Sequence, residues 1–228
     1  MNLPFTLIID FDSTIVSVET LEHLADISLS DKPNRDELVN QISNYTDLAM
    51  NGEISFQDSL KFRFDLMKIN HHDIENVSNA LKNKVDHSFL ENINFFKKNI
   101  NNIYIVSGGF DSIISSVLQS ISNIKWNIYA NSLLFNKQNE VEGIDAKNPL
   151  AFSGGKVEIV KKMNLDNDII VIGDGYTDYE IKKSNVAKYF LAYTAHVKRD
   201  KAVKNADFIC NDFYQVINFL KNKYTNLL

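Results

Sequence analysis

The stretch LIIDFDST at residues 7–14 decides the fold class, because it places a short apolar run directly before two carboxylates. The same order of apolar run and polar segment recurs in IYIVSGGF at residues 103–110 and in IIVIGDGYTD at residues 169–178. Short continuous runs rich in β-branched residues are typical of strands buried on both faces, as in a parallel sheet. Ligands of open α/β sheets bind beyond the carboxyl ends of such strands. We therefore predict an α/β protein whose polar segments meet at one crevice.

The distribution of glycine also singles out the polar segments that follow the predicted strands. Only 8 of the 228 residues are glycine, about half the usual share of roughly 7%. Most of them fall in three clusters, which are Ser107-Gly108-Gly109, Ser153-Gly154-Gly155-Lys156 and Gly173-Asp174-Gly175. A sequence that otherwise avoids glycine needs tight turns, or close approach of the backbone to a ligand, where glycine clusters.

The composition limits the class of protein and of partner. The formal net charge of −5 leaves no basic stripe, which argues against nucleic acid and against anionic membrane surfaces as main partners. The single cysteine, Cys210, suits a reducing compartment. The start of the chain lacks a signal-peptide pattern, and no stretch reaches the 18 or so apolar residues of a membrane span. We expect a cytoplasmic protein that is a monomer or a homodimer.

Helical patterns fill the chain between the first strand and about residue 85. Apolar residues recur every three or four positions in segments 35–50 and 55–67, as in amphipathic helices. Asn51-Gly52 lies between the two segments, and we expect it to form the C-cap of the first helix. Ser55 is expected to be the N-cap of the second helix, with Asp58 three residues after it. The segments 72–81 and 88–98 continue the helical pattern.

Strands and helices alternate from residue 99 onward, with a hairpin over residues 133–143. The first strand therefore belongs with this later part, and the helices between them form an insertion. We predict a Rossmann-like parallel sheet core and a small helical cap inserted after the first strand. The core comprises residues 1–16 and 86–228, and the cap comprises residues 17–85.

Asp10 and Asp12 lie two positions apart at the end of the first predicted strand. One carboxylate can attack phosphorus and form an aspartyl-phosphate. The other can protonate the leaving alkoxide and then take a proton from the hydrolytic water. We expect Asp10 to be the nucleophile and Asp12 the acid and base. An Asp-x-Asp pair is also common on protein surfaces, so this assignment depends on the other segments.

An anionic nucleophile that attacks an anionic phosphoryl group needs positive charge nearby. Asp174 together with Asp10 offers the oxygen ligands that Mg²⁺ uses, and Lys156 can neutralise the transferring oxygens. The Ser107 hydroxyl and the N–H groups of Gly108-Gly109, which we expect to open a helix, can bind phosphate. A turn, a tight connection or a solvated helix start explains each piece alone. Their joint order, each after its expected element, favours a metal-assisted phosphate site.

The segments DFDST, VSGGF and GDGYTD, together with Lys156, resemble the four motifs of the haloacid dehalogenase-like superfamily. Retention of Asp12 resembles its phosphatases rather than its dehalogenases. The stretch AMNGEISFQDSLKFR at residues 49–63 is similar to the cap segment of the phosphoserine phosphatases in that superfamily. Residues 126–156 resemble the hairpin that precedes the motif lysine, so the resemblance covers nearly the whole chain.

This resemblance implies a Mg²⁺-dependent phosphomonoesterase that hydrolyses L-phosphoserine through an aspartyl-phosphate. Arg63 would hold the serine carboxylate, for which a guanidinium fork is suited, and Glu19 would face the substrate ammonium. Asn51 departs from the family, where Gly or Glu is common, so the cap loop is expected to bind differently. The resemblance also implies substrate contacts from Met50, Ser107, Gly108, Gly109 and Thr177, metal ligation by Asp10, Asp12 and Asp174, and support of the site by Asp178.

Two alternatives remain open. The first keeps the phosphate chemistry but changes the substrate or the acceptor, and the second keeps only the binding of a phosphate group. The chain could act on another small phosphorylated amine or amino acid, or transfer the phosphoryl group to an alcohol. It could instead bind a phosphorylated ligand without turnover.

Tyr193, His196 and Arg199 are not part of the general family pattern. We expect His196 and Arg199 to share a helix face with a surface role, and His71-His72 to be a solvated helix start.

Overall fold

The computed structural model describes residues 3–50 and 53–224, apart from the side chains of Met50 and Phe56. Its strands are β1 (Phe5–Ile9), β2 (Ile103–Phe110), β3 (Asn127–Asn131), β4 (Leu133–Phe135), β5 (Val141–Ile144), β6 (Asp168–Gly173), β7 (Tyr189–Tyr193) and β8 (Phe208–Cys210). One six-stranded sheet has the order β3-β2-β1-β6-β7-β8, and its neighbouring strands run parallel. The predicted α/β fold with a Rossmann-like parallel sheet is confirmed.

Helices surround this sheet and fill the long connection after β1. They are α1 (Thr20–Ser28), α2 (Arg35–Met50), α3 (Phe56–Met67), α4 (His71–Leu81), α5 (His87–Glu91), α6 (Ile93–Lys98), α7 (Asp111–Ile121), α8 (Gly155–Lys162), α9 (Tyr176–Lys183), α10 (Asp200–Asn205) and α11 (Phe213–Lys223). Short 3₁₀ turns cover Lys82–Lys84, Ile100–Asn102 and Pro149–Ala151.

The apolar runs are continuous because the sheet has a core on each face. Along β1, Leu7 and Ile9 lie in one buried cluster and Ile8 lies in the other. The same alternation holds in β6, where Ile170 and Ile172 share the first cluster. Since successive side chains of a strand point to opposite faces, a strand buried on both sides needs apolar residues at every position.

The register of the sheet brings the ends of β1 and β6 together. Ile9 pairs with Ile172, and the Asp10 N–H donates to the Ile172 carbonyl oxygen at 2.9 Å. The residue after β1 therefore lies beside Gly173-Asp174, as the three-segment pattern predicts.

One local expectation was wrong. Ser107, Gly108 and Gly109 do not open a helix, because β2 continues through them to Phe110 and α7 begins at Asp111. The register of β2 against β3 shifts between Val106 and Phe110. The glycines therefore lie in an irregular stretch of strand, and the chain stays extended through them because Phe110 pairs again with Asn131 of β3.

The helical insertion leaves and rejoins the sheet through two adjacent segments. Val16 and Val85 form an antiparallel bridge, the Ser17 N–H donates to the Lys84 carbonyl, and the Asp86 N–H donates to the Ile15 carbonyl, both at 2.8 Å. Helices α1 to α4 lie between these connections. The division into a core and a cap stays a prediction.

One predicted helix start is confirmed, and one predicted helix is divided into two. The Ser55 side chain accepts a hydrogen bond from the Asp58 N–H at the start of α3, as predicted. The expected C-cap at residues 51–52 lies outside the described residues. The helical pattern over residues 88–98 is divided between α5 and α6, which meet at Asn92.

The predicted hairpin is formed by β4 and β5 and also contacts the inserted helices. The Val141 N–H donates to the Ile69 carbonyl at 2.8 Å, and the His71 N–H donates to the Asn139 carbonyl at 3.1 Å. The hairpin is thus tied by backbone hydrogen bonds to the connection between α3 and α4.

Gly155 begins α8 where the chain packs against Pro149. A Cβ atom added at Gly155 would overlap the Pro149 carbonyl group, and backbone cannot rotate away as a side chain can. We expect Gly155→Ala to lower the free energy of unfolding by about 1–3 kcal/mol, the usual effect of overpacking. Urea unfolding followed by circular dichroism measures this change.

Gly175→Ala is the matched control, because a Cβ atom there meets its nearest neighbour at 3.4 Å. An equal loss of stability in both variants would contradict the steric explanation.

Candidate active site

The polar ends of β1, β2 and β6 face one cavity of about 400 Å³. Residues from the inserted helices and from the start of α8 and α9 complete its wall. The predicted site residues that line the cavity are Asp10, Asp12, Glu19, Arg63, Ser107, Gly108, Gly109, Lys156, Asp174 and Thr177. The side chain of Met50 lies outside the described part of the chain.

A buried ammonium lies between two buried carboxylates at the centre of this site. Lys156 Nζ is 2.8 Å from Asp10 Oδ2 and 2.7 Å from Asp178 Oδ1. Burial alone would lower the pKa of Lys156, but Asp10 and Asp178 outweigh burial and raise it above its ordinary value. Lys156 therefore stays positively charged next to the other oxygen-bearing groups of the site.

Asp178 is held in place by the turn that starts α9. Its Oδ2 accepts a hydrogen bond from the Gly175 N–H at 3.1 Å. A Cβ atom at Gly173 would overlap the Asp178 carboxyl group, so glycine is needed there to admit this side chain. Burial and the charge of Asp10 raise the pKa of Asp178, and Lys156 opposes them.

Asp10 and Asp12 differ in their surroundings. Asp10 Oδ1 accepts the Phe11 N–H at 2.8 Å, and its other oxygen pairs with Lys156. Asp12 instead accepts a hydrogen bond from the Thr20 hydroxyl. Burial, and next the charge of Glu19, raise the pKa of Asp12 well above its ordinary value. A carboxyl group of this kind holds a proton that it can donate.

Three buried carboxylates could hold a divalent cation. Asp10, Asp174 and Asp178 each offer an oxygen, and these oxygens lie within 4.8 Å of one another. Burial and the nearby charges of Glu19 and Asp10 raise the pKa of Asp174 because they disfavour its ionised form. A bound cation would favour that ionised form. Oxygen ligands of this type fit Mg²⁺. The Asp12 side chain is not in this group, so its ligand role stays a prediction.

The expected phosphate cradle is partly occupied by its own hydrogen bonds. The Gly109 N–H donates to Ser107 Oγ at 3.0 Å, and the Gly108 carbonyl accepts from Asn131 Nδ2 at 2.9 Å. Asn131 is fully buried and also reaches the Leu150 carbonyl at 3.3 Å. Sequence reasoning missed Asn131, which joins β2 to the Pro149–Ala151 turn across a distance that no local pattern spans.

Arg63 is a buried cation that faces the cavity. Its side chain is 3% exposed, its Nε donates to the Ser59 carbonyl at 3.1 Å, and one terminal nitrogen donates to Thr46 Oγ1 at 3.0 Å. Among the described residues, no carboxylate lies within ion-pair distance of Arg63. Burial lowers the pKa of Arg63 to about 10, against the opposing charges of Glu19, Glu22 and Asp12.

The expected surface role of Arg199 was wrong. Arg199 Nε lies 2.7 Å from Asp174 Oδ2, and a terminal nitrogen lies 3.0 Å from Glu19 Oε1. Glu19 Oε1 also accepts a hydrogen bond from the Ser13 hydroxyl at 2.6 Å. Arg199 therefore connects the carboxylate expected at the substrate ammonium to a candidate metal ligand.

The shared helix face of His196 and Arg199 was also wrong, because residues 194–199 are not helical and α10 begins at Asp200. His196 Nε2 instead lies 2.9 Å from Asp86 Oδ2, which also accepts from the Tyr193 hydroxyl at 2.8 Å. Burial would raise the pKa of Asp86, but the nearby His196 ring nitrogen and the hydrogen bonds from Ser88 and Tyr193 outweigh it and lower the pKa to about 2. His196 thus supports the segment that rejoins the sheet.

In the described part of the chain, no helix has the length and apolar character needed to cross a membrane. No protein-family model matches the chain.

Known proteins share the whole architecture of this chain. It is 30% identical over 214 residues to the chloroplastic phosphoserine phosphatase of Arabidopsis thaliana, over 92% of this chain and 70% of that protein. A phosphoserine phosphohydrolase-like protein from Francisella tularensis superposes with a TM-score of 0.82 at 28% identity, over 96% of this chain and 99% of that one. A phospho-aspartyl intermediate analogue of phosphoserine phosphatase superposes with a TM-score of 0.74 at 22% identity and the same coverage. The chain covers 70% of a relative to which it is 30% identical, and it therefore belongs to the phosphoserine phosphatase family.

Proposed function

We propose that this chain is a Mg²⁺-dependent phosphomonoesterase that hydrolyses L-phosphoserine to serine and phosphate. The observation that carries this proposal is the buried Arg63 without a carboxylate partner among the described residues, on the same cavity as Asp10 and Asp12. A phosphate group at Asp10 and a carboxylate at Arg63 are the two ends of a small phosphorylated amino acid. The names of the relatives agree with this substrate, and the reaction would serve serine biosynthesis in the cytoplasm.

The first half of the reaction forms a bond between Asp10 and phosphorus. A carboxylate oxygen of Asp10 attacks the phosphorus atom, and the bond from phosphorus to the serine oxygen breaks. Asp12 gives its proton to the departing alkoxide, which leaves as serine. The raised pKa of Asp12 keeps that proton available.

The second half regenerates Asp10. A water molecule attacks the phosphorus of the aspartyl-phosphate, Asp12 takes a proton from that water, and the bond between phosphorus and the Asp10 oxygen breaks. Phosphate leaves, and Asp10 is again a free carboxylate. Lys156 stays charged and offsets the negative charge of the phosphoryl oxygens. Ser107, Gly108 and Thr177 line the same part of the cavity and are proposed to orient the phosphate.

Asp10 and Asp174 are proposed to hold Mg²⁺, and Asp12 is proposed as a further ligand when its carboxyl group is ionised. When bound, this ion supplies positive charge that offsets the charge of the phosphoryl group and its nucleophile. Asp178 is proposed to act by holding Lys156 in place, since Lys156 Nζ donates a hydrogen bond to Asp178 Oδ1.

The substrate end of the cavity carries one cation and one anion for the amino-acid group. Arg63 is proposed to clamp the carboxylate, because a guanidinium can donate two parallel hydrogen bonds to it. Glu19 is proposed to receive the ammonium. Binding of another phosphorylated amine or amino acid, and transfer to an alcohol instead of water, use the same phosphate chemistry and are decided by a panel of substrates and acceptors.

Asp10→Asn tests the covalent step. The amide cannot attack phosphorus, so we expect phosphate release to fall on the order of a thousandfold or more, with an unchanged circular dichroism spectrum. The matched control is Asp36→Asn, since the Asp36 side chain is 90% exposed and away from the cavity. Normal turnover by well-folded Asp10→Asn would rule out this mechanism, and absence of turnover in the wild type would favour a binding protein.

Chelation tests the cation. The carboxylate cluster contains neither Cys nor His, so a hard cation is expected to occupy it. Exhaustive EDTA treatment should abolish phosphate release, and added Mg²⁺ should restore it. Full activity after chelation would contradict the metal requirement.

Arg63→Ala tests the carboxylate clamp. Loss of a charge-assisted hydrogen bond of roughly 1.5–3 kcal/mol should lower kcat/KM for phosphoserine by on the order of 10- to 100-fold. Phosphoethanolamine lacks the carboxylate, so it should be a poor substrate of the wild type and hardly affected by the substitution. Steady-state kinetics of both substrates on both proteins isolate the contact.

Lys61→Ala is the control on the same helix, because Lys61 is exposed. Equal losses on the two substrates would mean that Arg63 supports the structure of the cap. A wild-type preference for phosphoethanolamine would overturn the phosphoserine assignment.

A further inference from the structure

Arg199 contacts acidic side chains from three separate parts of the chain. Its nitrogens lie 2.7 Å from Asp174, 3.0 Å from Glu19 and 4.0 Å from Asp47. Asp174 follows β6, Glu19 precedes α1, and Asp47 lies on α2. The guanidinium is largely buried, at 18% exposed, and so is its partner Glu19, at 16%, whereas Asp47 is 66% exposed. The two buried contacts therefore dominate, because exposed pairs are screened by water.

The contact with Asp174 conflicts with ligation of a cation by the same carboxylate. Asp174 belongs to the group of carboxylates that could hold a divalent ion, and one of its oxygens already accepts the charged hydrogen bond of Arg199. Two positive groups at one carboxylate repel each other. Cation binding and the Arg199–Asp174 contact should therefore oppose each other.

Glu19 offers the guanidinium a second position. It already accepts a hydrogen bond from Arg199, and its position is fixed from the other side by the Ser13 hydroxyl. We propose that Arg199 is a positioning residue that couples the cation site to Glu19, and that a divalent cation at Asp174 displaces the guanidinium toward Glu19. Such coupling is reciprocal, so the charge at Glu19 sets the affinity for the cation.

This inference extends the proposed function, but its test contains no substrate. Mn²⁺ is titrated into the full-length, metal-free protein, and free Mn²⁺ is measured by electron paramagnetic resonance. Arg199→Gln should bind Mn²⁺ at least about fivefold more tightly than the wild type, the lower end of typical couplings between sites. Arg35→Gln removes the same charge from a pair with Asp26 and Asp36 and is expected to leave the affinity unchanged.

A double-mutant cycle separates coupling from simple loss of charge. Glu19→Gln should weaken Mn²⁺ binding in the wild-type background, because Arg199 is then left to Asp174 alone. In the Arg199→Gln background, Glu19→Gln should change log Kd for Mn²⁺ by less than about half of the change that it causes in the wild-type background. An equal effect in both backgrounds would overturn the proposal, because it would mean that Glu19 acts on the cation without Arg199.

Two further results would also overturn it. A 10- to 100-fold loss of Mn²⁺ affinity in Arg199→Gln would show that Arg199 orients Asp174 for the cation. An affinity equal to that of Arg35→Gln would show no competition at all. If Arg199→Gln does not fold, Arg199→Lys replaces it in the cycle, since an ammonium lacks the planar fork that spans Asp174 and Glu19. Retention of the full Glu19→Gln effect in that background would contradict the coupling.

Discussion

The rest of the site depends on the compensation of buried charge around Lys156. The ammonium lies within 2.8 Å of two carboxylates that come from different connections of the sheet. Loss of one partner from such a buried arrangement leaves an uncompensated charge and typically costs about 3–5 kcal/mol. The end of β1, the start of α8 and the start of α9 are therefore held together by the same contacts that position Asp10, the proposed nucleophile. In the proposed mechanism, stability and catalytic geometry depend on the same atoms.

Those parts of the site that follow a strand could be predicted from the sequence. Asp10 and Asp174 come directly after buried apolar runs, and parallel register forces such residues to one edge of the sheet. Lys156 follows its glycine pair at the start of a helix. The conformation of Gly108-Gly109 was not predictable in this way, because the pairing of β2 with β3 that resumes at Phe110 is a tertiary effect that local glycine preference does not report.

The contacts of Arg199 could not be read from any local pattern. Its partners Asp174 and Glu19 are 25 and 180 positions away in the sequence, and spacing rules describe only neighbours on one element. Arg63 was identified because residues 49–63 resemble a segment of the phosphoserine phosphatases. The helical pattern alone predicts an ordinary solvated residue at this position. Long-range polar contacts of this kind depend on where an insertion lies over the sheet, which amphipathic periodicity does not specify.

If Arg63 holds the substrate carboxylate as proposed, its buried state explains how a small cavity discriminates between similar phosphate esters. Its guanidinium has lost water because the residue is buried, yet it has no carboxylate partner among the described residues. Desolvation of this charge is already part of the free energy of the empty protein, so a ligand carboxylate gains a strong interaction without that penalty. A phosphate ester without a carboxylate leaves the charge unpaired, and sites with unpaired buried polar groups reject such ligands strongly. In the proposed function, specificity resides in the inserted helices, while the strand ends supply chemistry that any phosphate ester can use.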